Sequence, residues 1–321
     1  MLNVLLITFP FFALVLAGYV AARRRMLPLD AIAGMNGFVL FFALPCMLYR
    51  FGSTTPLAQL LDPSVMFIYL LCALVMVGFT IMVSLNARIG WNDASFGALV
   101  AAFPNTGFMG VPLLVALLGP QAAGPTIATI AVDMIITTSL CIALSRLDGA
   151  DEHGFSKAAK KALMGVLANP LPWAIVLGAV SSAVSLELPH PILKTIGLMA
   201  DAASPVALFT IGAVLARSQM MAASGHASAP ALRDFVPVAA IKLFLHPLLV
   251  LLVGAGAINL GLPLDRFALT VLVLVAALPS ASNVSLLAER FGADNGRIAR
   301  IILVSTAAAF LTFSGAVALL T

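Results

Sequence analysis

One apolar segment of the chain is interrupted near its middle by the sequence Ala102-Phe103-Pro104-Asn105-Thr106-Gly107-Phe108-Met109-Gly110-Val111-Pro112. A second apolar segment is interrupted in a similar way by Ala277-Leu278-Pro279-Ser280-Ala281-Ser282-Asn283-Val284-Ser285. Proline has no backbone N–H and frees a carbonyl four residues earlier, so each sequence is expected to break a helix. Inside a bilayer the freed groups must be satisfied by protein or by a water-lined cavity. The two breaks therefore predict where a polar site lies.

The composition places these segments in a membrane. The chain has 321 residues, of which 62% are hydrophobic and 9% charged, and its mean hydropathy is +1.10. A soluble domain has roughly a quarter charged residues, and the apolar stretches here reach the ~20 residues that span a bilayer. The net charge of +4 is explained by basic cytoplasmic loops rather than by a nucleic-acid partner.

The hydropathy pattern predicts an all-α membrane protein with ten transmembrane helices. We place these spans at residues 3–22, 33–50, 64–86, 95–118, 126–146, 166–186, 196–217, 235–258, 267–289 and 298–320. The two interruptions fall in spans four and nine. Cysteines and histidines show no metal-ligand spacing, so neither a metal nor a cofactor is expected.

Basic residues are distributed unequally between the two sides of this topology. One side carries thirteen of them: Arg23, Arg24, Arg25, Arg88, Arg146, Lys157, Lys160, Lys161, Arg217, Arg233, Arg290, Arg297 and Arg300. The other side carries Arg50, Lys194 and Arg266. Cytoplasmic loops are enriched in Lys and Arg. We therefore predict a bacterial inner-membrane protein with both termini outside and the polar stretch from 146 to 161 in the cytoplasm.

Markers recur at a constant spacing in the two halves of the chain. Three pairs are 160 residues apart: Pro10 and Pro170, Gly18 and Gly178, and Pro45 and Pro205. Pro104 and Pro279 are 175 apart, and a longer loop at 218–234 accommodates the difference. Coincidence among 19 prolines is the alternative. Five spans per half predict inverted repeats, as in secondary transporters, at 1–146 and 166–321, joined by a cytoplasmic loop at 147–165.

The polar residues at the two breaks are candidate substrate ligands: Asn105, Thr106, Ser280, Ser282 and Asn283. Broken helices at equivalent depth are expected to cross near mid-membrane. Their N-termini offer unpaired N–H groups and partial positive charge, which suit a carboxylate. The alternative is that each proline kinks a packed helix while the polar side chains bond to the backbone.

Ionisable residues inside spans are further candidates. Asp133, in span five, could bind a proton or cation coupled to transport, or it could be a structural hydrogen-bond acceptor. Lys242 and His246 are four residues apart and share a face of span eight. Lys242 could attract an anion, but snorkelling to the cytoplasmic interface is favoured. We interpret Asp201 as an acid at the start of span seven and Arg50 as an anchor that closes span two.

The sequence of the first break, with Leu278-Pro279 and Asn283 of the second, resembles the auxin efflux carrier family. This family includes plant PIN auxin exporters and bacterial malonate-type carriers, and the resemblance covers essentially the whole chain. It implies a fold similar to sodium/proton antiporters and bile-acid transporters, with spans 1, 2, 6 and 7 as a scaffold and the others as a transport domain. It also implies that Pro104 and Pro279 are crossover prolines and that Asn105 contacts substrate. Plant members carry Asn-Asn-Pro-Tyr where this chain has Ala43-Leu44-Pro45-Cys46, which argues against auxin.

These observations predict a secondary transporter of small organic anions, carboxylates such as malonate, that works by alternating access. The expected partners are the carboxylate, a coupled proton or sodium ion and the lipid bilayer; a homodimer is left open. No nucleophile–base set or phosphate-binding Gly-rich loop indicates an enzyme or an ATP-driven pump. The alternative class is a membrane receptor or structural membrane protein that binds a ligand without translocating it. Binding without counterflow would identify that alternative.

Overall fold

The computed structural model describes residues 2–147, 164, 167, 169–186, 188–224 and 231–320, and this part of the chain is helical without any strand. Its principal helices are α1 (Leu2–Arg23), α2 (Ala31–Thr54), α3 (Pro63–Ser84), α4 (Trp91–Ala102), α5 (Thr106–Leu118), α6 (Pro120–Leu144), α7 (Pro170–Ala183), α8 (His190–Ser224), α9 (Leu232–Asn259), α10 (Arg266–Ala277), α11 (Val284–Phe291) and α12 (Asn295–Leu320). Most of the predicted loop at 147–165 lies outside the described residues. Residues 218–224 are helical, so the predicted loop at 218–234 begins too early.

Seven helices of the described part are long and apolar enough to cross a membrane: Leu6–Arg23, Ala31–Thr54, Ala58–Ser84, Pro120–Leu144, His190–Arg217, Leu232–Asn259 and Asn295–Leu320. Three more apolar helices are shorter: Thr106–Leu118, Pro170–Ala183 and Arg266–Ala277. Large apolar side chains such as Phe41 and Met82 are exposed, as expected where lipid rather than water surrounds a helix. These features confirm a helical membrane protein. Its ten-span topology stays a prediction.

Contacts divide the chain into two compact units, each drawn from both halves of the sequence. The first unit comprises Met1–Asp62, Thr106–Ala128 and Asn169–Gly225, and the second comprises Pro63–Asn105, Thr129–Ala168 and His226–Thr321. The first therefore contains α1, α2, α5, α7 and α8, and the second contains α3, α4 and α9 to α12, while α6 is divided between them. The units are thus not the two predicted sequence repeats, which stay a prediction.

Glycines bring the backbones of two helix pairs into close contact in the first unit. In the pair α1 and α8, a Cβ on Gly18 would collide with the carbonyl oxygen of Phe209. In the pair α2 and α7, a Cβ on Gly178 would lie 2.8 Å from the carbonyl oxygen of Tyr49. Gly18 and Gly178 are 160 residues apart, and so are Tyr49 and Phe209. Both helix pairs are therefore joined by a glycine packed against a backbone carbonyl, and the corresponding residues are 160 positions apart, as are the paired prolines.

A buried arginine joins the ends of several helices in the second unit. The guanidinium of Arg297, in the first turn of α12, donates from Nε to the carbonyl oxygen of Asp234 (2.6 Å) and from Nη1 to that of Asp93 (2.8 Å). It lies against Gly97 of α4, where a Cβ would be 2.8 Å from Nη1. Only 2% of Arg297 is exposed. The arginine therefore fixes the starts of α4, α9 and α12 together, a role that its place among the thirteen basic residues of the predicted cytoplasmic side did not indicate.

Local sequence explains several helix boundaries. Asn169 precedes α7 and its side chain accepts a hydrogen bond from the N–H of Leu171. Asp265 does the same for α10, accepting from the N–H of Ala268. Both are favoured N-cap residue types because their oxygens satisfy helix donors that lack an internal partner. Gly292 ends α11 with a φ of +71°, a conformation that glycine adopts without steric cost.

Candidate functional site at two interrupted helices

Each of the two proline-containing sequences includes a short non-helical stretch in the second unit. Helix α4 ends at Ala102, and Phe103 is extended before Pro104 and Asn105. Helix α10 ends at Ala277, Leu278 is extended, and helical structure resumes at Val284 in α11. Each interruption leaves backbone groups without the partners that a continuous helix would provide.

The two interruptions hydrogen-bond to each other. The N–H of Asn105 donates to the carbonyl oxygen of Pro279 (2.8 Å), and the N–H of Ala281 donates to that of Phe103 (3.0 Å). Pro104 and Ser280 thereby form an isolated antiparallel bridge. Backbone groups in an apolar interior must find such partners. The bridge thus explains how two broken helices are tolerated at these positions.

The polar side chains predicted as ligands lie at or beside this bridge. Asn105 and Ser280 are buried, Ser282 is 8% exposed, and Asn283 is half-buried. Thr106 is buried at the first residue of α5, in the first unit. Within the described residues the hydroxyl of Ser280 has no hydrogen-bond partner. The structure therefore places Asn105 and the two serines together, with one buried hydroxyl available to a ligand.

Ser305 supports the bridge, and sequence analysis did not single it out. The N–H of Ser280 donates to its Oγ (3.3 Å), and this hydroxyl donates to the carbonyl oxygen of Ile302 (3.0 Å). A serine in the middle of an apolar helix is a weak signal, because such residues often bond only to their own helix. The contact with a residue 25 positions away depends on tertiary packing.

Asp133 is fully buried among hydroxyl donors of the same unit. Its Oδ2 accepts a hydrogen bond from the hydroxyl of Tyr69 (2.7 Å), and its Oδ1 accepts one from Thr137 (3.2 Å). Asp133 begins a π-helical segment, Asp133–Thr137, within α6. Such segments widen one helical turn and are frequent at functional sites. Both alternatives predicted for Asp133, coupling and structural support, are compatible with this geometry.

Lys242 is also fully buried, so the predicted snorkelling to the interface is wrong. Its Nζ donates to the carbonyl oxygen of Ala276 (2.8 Å) and lies 3.0 Å from Nδ1 of His246. Lys242 belongs to a second π-helical segment, Ile241–Leu245, in α9. Ala276 lies in the last turn of α10, where carbonyls lack helical partners. A cation at a helix C-terminus is favoured by the helix dipole, which explains why the ammonium stays inside.

Tyr69 connects the acidic and basic residues of this region. Its hydroxyl contacts Asp133, and its ring lies 6.2 Å from the imidazole of His246, measured between ring centroids. A buried tyrosine hydroxyl requires a partner, but the sequence alone did not indicate which one. The second unit therefore contains a continuous series of contacts from Asp133 to Ala276.

Two other charged residues predicted to lie near the outer interface are paired in the first unit. Arg50 Nη1 lies 2.6 Å from Oδ1 of Asp201. Asp201 is twelfth in α8, so its interpretation as a helix-start acid is wrong. The side chains of Arg50 and Asp201 are 37% and 68% accessible, and a partly exposed pair of this kind contributes little to stability.

No cluster of three or more His, Cys, Asp or Glu residues that could hold a metal occurs among the described residues. Cys46, Cys72 and Cys141 are free, and His153 and His226 lie outside the described ranges. The polar atoms at the breaks are amides and hydroxyls, which bind anions by hydrogen bonding.

The apolar helices and their paired interruptions define a multi-pass helical membrane protein. A family model described as membrane transport protein matches residues 4–317. The chain therefore belongs to this family of transport proteins, the auxin efflux carrier family, which confirms the resemblance seen in the sequence.

Several curated relatives are similar along most of their length. A protein of Rhizobium meliloti named "Putative malonate transporter" is 28% identical, covering 95% of this chain and 92% of the relative. The Escherichia coli protein named "Uncharacterized transporter YfdV" is 28% identical over 88% of this chain and 86% of the relative. Auxin efflux carrier component 8 of Arabidopsis thaliana is 22% identical and covers 85% of both chains.

Proposed function

We propose that this protein is a secondary transporter of small organic anions, carboxylates of the malonate class. The observation that carries the proposal is the pair of interrupted helices joined by the bridge between Pro104 and Ser280. The substrate would be bound by Asn105, Ser280, Ser282 and Asn283 of the second unit, and by Thr106, which directly follows Asn105. The name of the Rhizobium meliloti relative supports a dicarboxylate.

Neutral donors suit this substrate class. An amide or hydroxyl donates to a carboxylate without placing a full charge in the membrane, and each such bond is worth about 1.5–3 kcal/mol. The start of α11, which directly follows Asn283, adds the partial positive charge of a helix N-terminus. The hydroxyl of Ser280 is buried without a described partner, so a bound carboxylate would satisfy a donor that otherwise costs free energy.

We further propose that the chain consists of two inverted repeats with crossing interrupted helices. The shared spacing of 160 residues supports this, because it relates prolines in the sequence and also the two glycine-mediated contacts of the first unit. That unit contains α1, α2, α7 and α8, the helices that the family resemblance assigns to the scaffold, together with α5 and the start of α6. Transport would then follow from alternate exposure of the substrate to the two sides.

The proposed topology has ten spans in an inner membrane, with both termini outside. It rests on the thirteen-to-three distribution of basic residues in the sequence and on the positive-inside rule. Cysteine labelling at Ser156 from outside intact cells would contradict this orientation. Labelling only after permeabilisation is the expected result.

Reconstituted uptake tests the proposed function. Proteoliposomes should accumulate labelled malonate, and should do so faster when the correct ion gradient, proton or sodium, is imposed. Counterflow of labelled against unlabelled malonate should occur without any gradient. Saturable binding without counterflow would instead identify a receptor. A series of mono- and dicarboxylates as competitors defines the substrate class.

A further inference from the structure

Four buried titratable side chains of the second unit are connected: Tyr69, Asp133, Lys242 and His246. Tyr69 contacts Asp133 through its hydroxyl and His246 through its ring, and His246 contacts the ammonium of Lys242. All four have 0% exposure. An isolated charge in such an environment is costly, whereas one acid and one base can balance each other.

Asp133 and Lys242 are the only acid and the only lysine in this connected group, and they are linked through Tyr69 and His246. The other titratable groups beside it are the buried thiols of Cys72 and Cys141. The helices that carry or surround the group are α3, α4, α6, α9, α10 and α12. Their other charged residues all lie in the first two turns of a helix: Asp93 in α4, Arg233 and Asp234 in α9, Arg266 in α10, and Arg297 and Arg300 in α12. Asp133 and Lys242 therefore determine the net charge in the middle of this unit.

The hydrogen bonds of Asp133 allow it to be either ionised or protonated. Tyr69 can donate to Oδ2 in both states. Thr137 can donate to Oδ1 of the carboxylate and can accept from Oδ1–H of the acid, because a hydroxyl both donates and accepts. Nδ1 of His246 accepts from the ammonium of Lys242 only when the imidazole is neutral. The group can thus take up one proton at Asp133 without leaving a polar atom unpaired there.

Lys242 links this charge balance to the interrupted helix. Its ammonium donates to the carbonyl of Ala276, three residues before Pro279. Protonation of Asp133 would remove the negative partner of Lys242 and leave one net positive charge next to the break. An anion at the break would then provide the missing negative charge.

We propose that Asp133 and Lys242 form a proton-binding pair in which protonation of Asp133 releases Lys242 as the countercharge for a bound carboxylate. The inference rests on the proposed transport of carboxylates and identifies the coupling ion as a proton. By linkage, proton binding and anion binding strengthen each other to the same extent. Affinity for the anion should therefore fall as the pH rises, and anion binding should take up a proton from solution.

Malonate binding to the purified full-length protein tests the pair. For the wild type, we expect affinity to weaken at least ten-fold between pH 6 and pH 8, together with proton uptake on binding, measured with an indicator in weak buffer. Asp133→Asn imitates the protonated acid, so it should keep about the wild-type affinity of pH 6 at both pH values, apart from the change that the protonation of malonate itself causes. Malonate itself also takes up protons in this pH range. The pH dependence that remains in Asp133→Asn measures this effect and can be subtracted from that of the wild type. An unchanged wild-type pH dependence in Asp133→Asn would overturn the proposal.

Lys242→Met tests the countercharge. Alone it should reduce folded protein at least ten-fold at pH 8, because it leaves an ionised Asp133 unpaired. The double variant Asp133→Asn/Lys242→Met should recover folded protein to within about three-fold of wild type, yet bind malonate at least ten-fold more weakly than Asp133→Asn. A double variant as unstable as Lys242→Met, or one that binds as tightly as Asp133→Asn, would overturn the pairing.

Two exposed residues of the first unit provide matched controls. Asp201→Asn and Lys194→Met make the same chemical changes outside the group and should leave the pH dependence unchanged. If the wild type binds no carboxylate while the double variant still rescues Lys242→Met, the proposed substrate class fails and the charge pair stands. The stability and binding measurements therefore separate the two hypotheses.

Discussion

The helices inside the first compact unit are held together by different chemistry from the helices inside the second. In the first unit, glycines allow helix backbones to touch, as Gly18 and Gly212 do between α1 and α8. In the second unit, buried polar side chains reach backbone groups at helix ends, as Arg297 and Lys242 do. The candidate ligands and the ionisable group lie in the second unit, apart from Thr106. We therefore expect added volume to destabilise the first unit and loss of a buried polar side chain to destabilise the second.

The largest expected effect is loss of the buried arginine. Arg297→Ala leaves the carbonyls of Asp234 and Asp93 without this donor, at about 1–3 kcal/mol for each buried group. We therefore expect about 2–6 kcal/mol of destabilisation, seen as a large fall in thermal unfolding temperature in detergent. Arg297→Lys should recover only part of it, because an ammonium lacks the planar fork of a guanidinium. Arg290→Ala, at an exposed position of α11, is the control; equal effects of the two alanine variants would refute the role of Arg297.

A single methyl group should have the next largest effect when it is placed in the first unit. In Gly212→Ala the new Cβ would collide with the carbonyl oxygen of Val15, and overpacking of this kind costs about 1–3 kcal/mol. Gly197→Ala makes the same change in the same helix, where no atom lies within 4 Å. That control should be neutral or slightly stabilising, because alanine favours a helix. Similar unfolding temperatures for both variants would show that backbone contact does not hold this unit.

Removal of one candidate ligand should change affinity more than stability. Asn105→Ala removes a donor at the bridge but keeps the backbone N–H that binds Pro279. We expect malonate affinity to fall roughly ten- to a hundred-fold, about 1.4–2.8 kcal/mol, with a nearly normal unfolding temperature. Asn259→Ala, at the exposed end of α9, should leave affinity unchanged. Unaltered affinity in Asn105→Ala would remove the central claim about the site.

The smallest effect is expected for the exposed ion pair of the first unit. Asp201→Asn should alter stability by less than about 1 kcal/mol, because water and salt screen a pair as accessible as Arg50 and Asp201. Thermal unfolding at low and high salt measures this difference directly. A loss as large as that in Arg297→Ala would contradict the distinction between the two units.

Much of the fold could be predicted because helix formation and helix breaking are local. Apolar length indicated a helical membrane protein, and Pro104 and Pro279 indicated both interruptions. Asn105 and Ser280 could be nominated as candidate ligands because polar residues beside a break are visible in the sequence. These inferences needed no knowledge of which helices are neighbours.

The roles of Lys242, Arg297 and Ser305 could not be predicted in the same way, because each depends on a partner distant in sequence. Lys242 lies about three turns from the start of α9 and about five turns from its end, so its contact with Ala276 rather than with the interface is a tertiary property. Asp133 and Lys242 also lie in π-helical segments, which shift side chains away from the faces that a regular 3.6-residue period assigns. Local pattern therefore identified the ionisable residues but not their contacts.

The bridge also imposes an order on biosynthesis. The N–H of Asn105 bonds to a carbonyl that is 174 residues further along the chain, and a ribosome adds about 5–20 residues per second. Roughly 10–35 s therefore pass between the synthesis of Asn105 and the synthesis of Pro279. During this interval the nascent first half has a gap in its helical hydrogen bonding that only later sequence can close, so final assembly of the second unit must follow synthesis of α10.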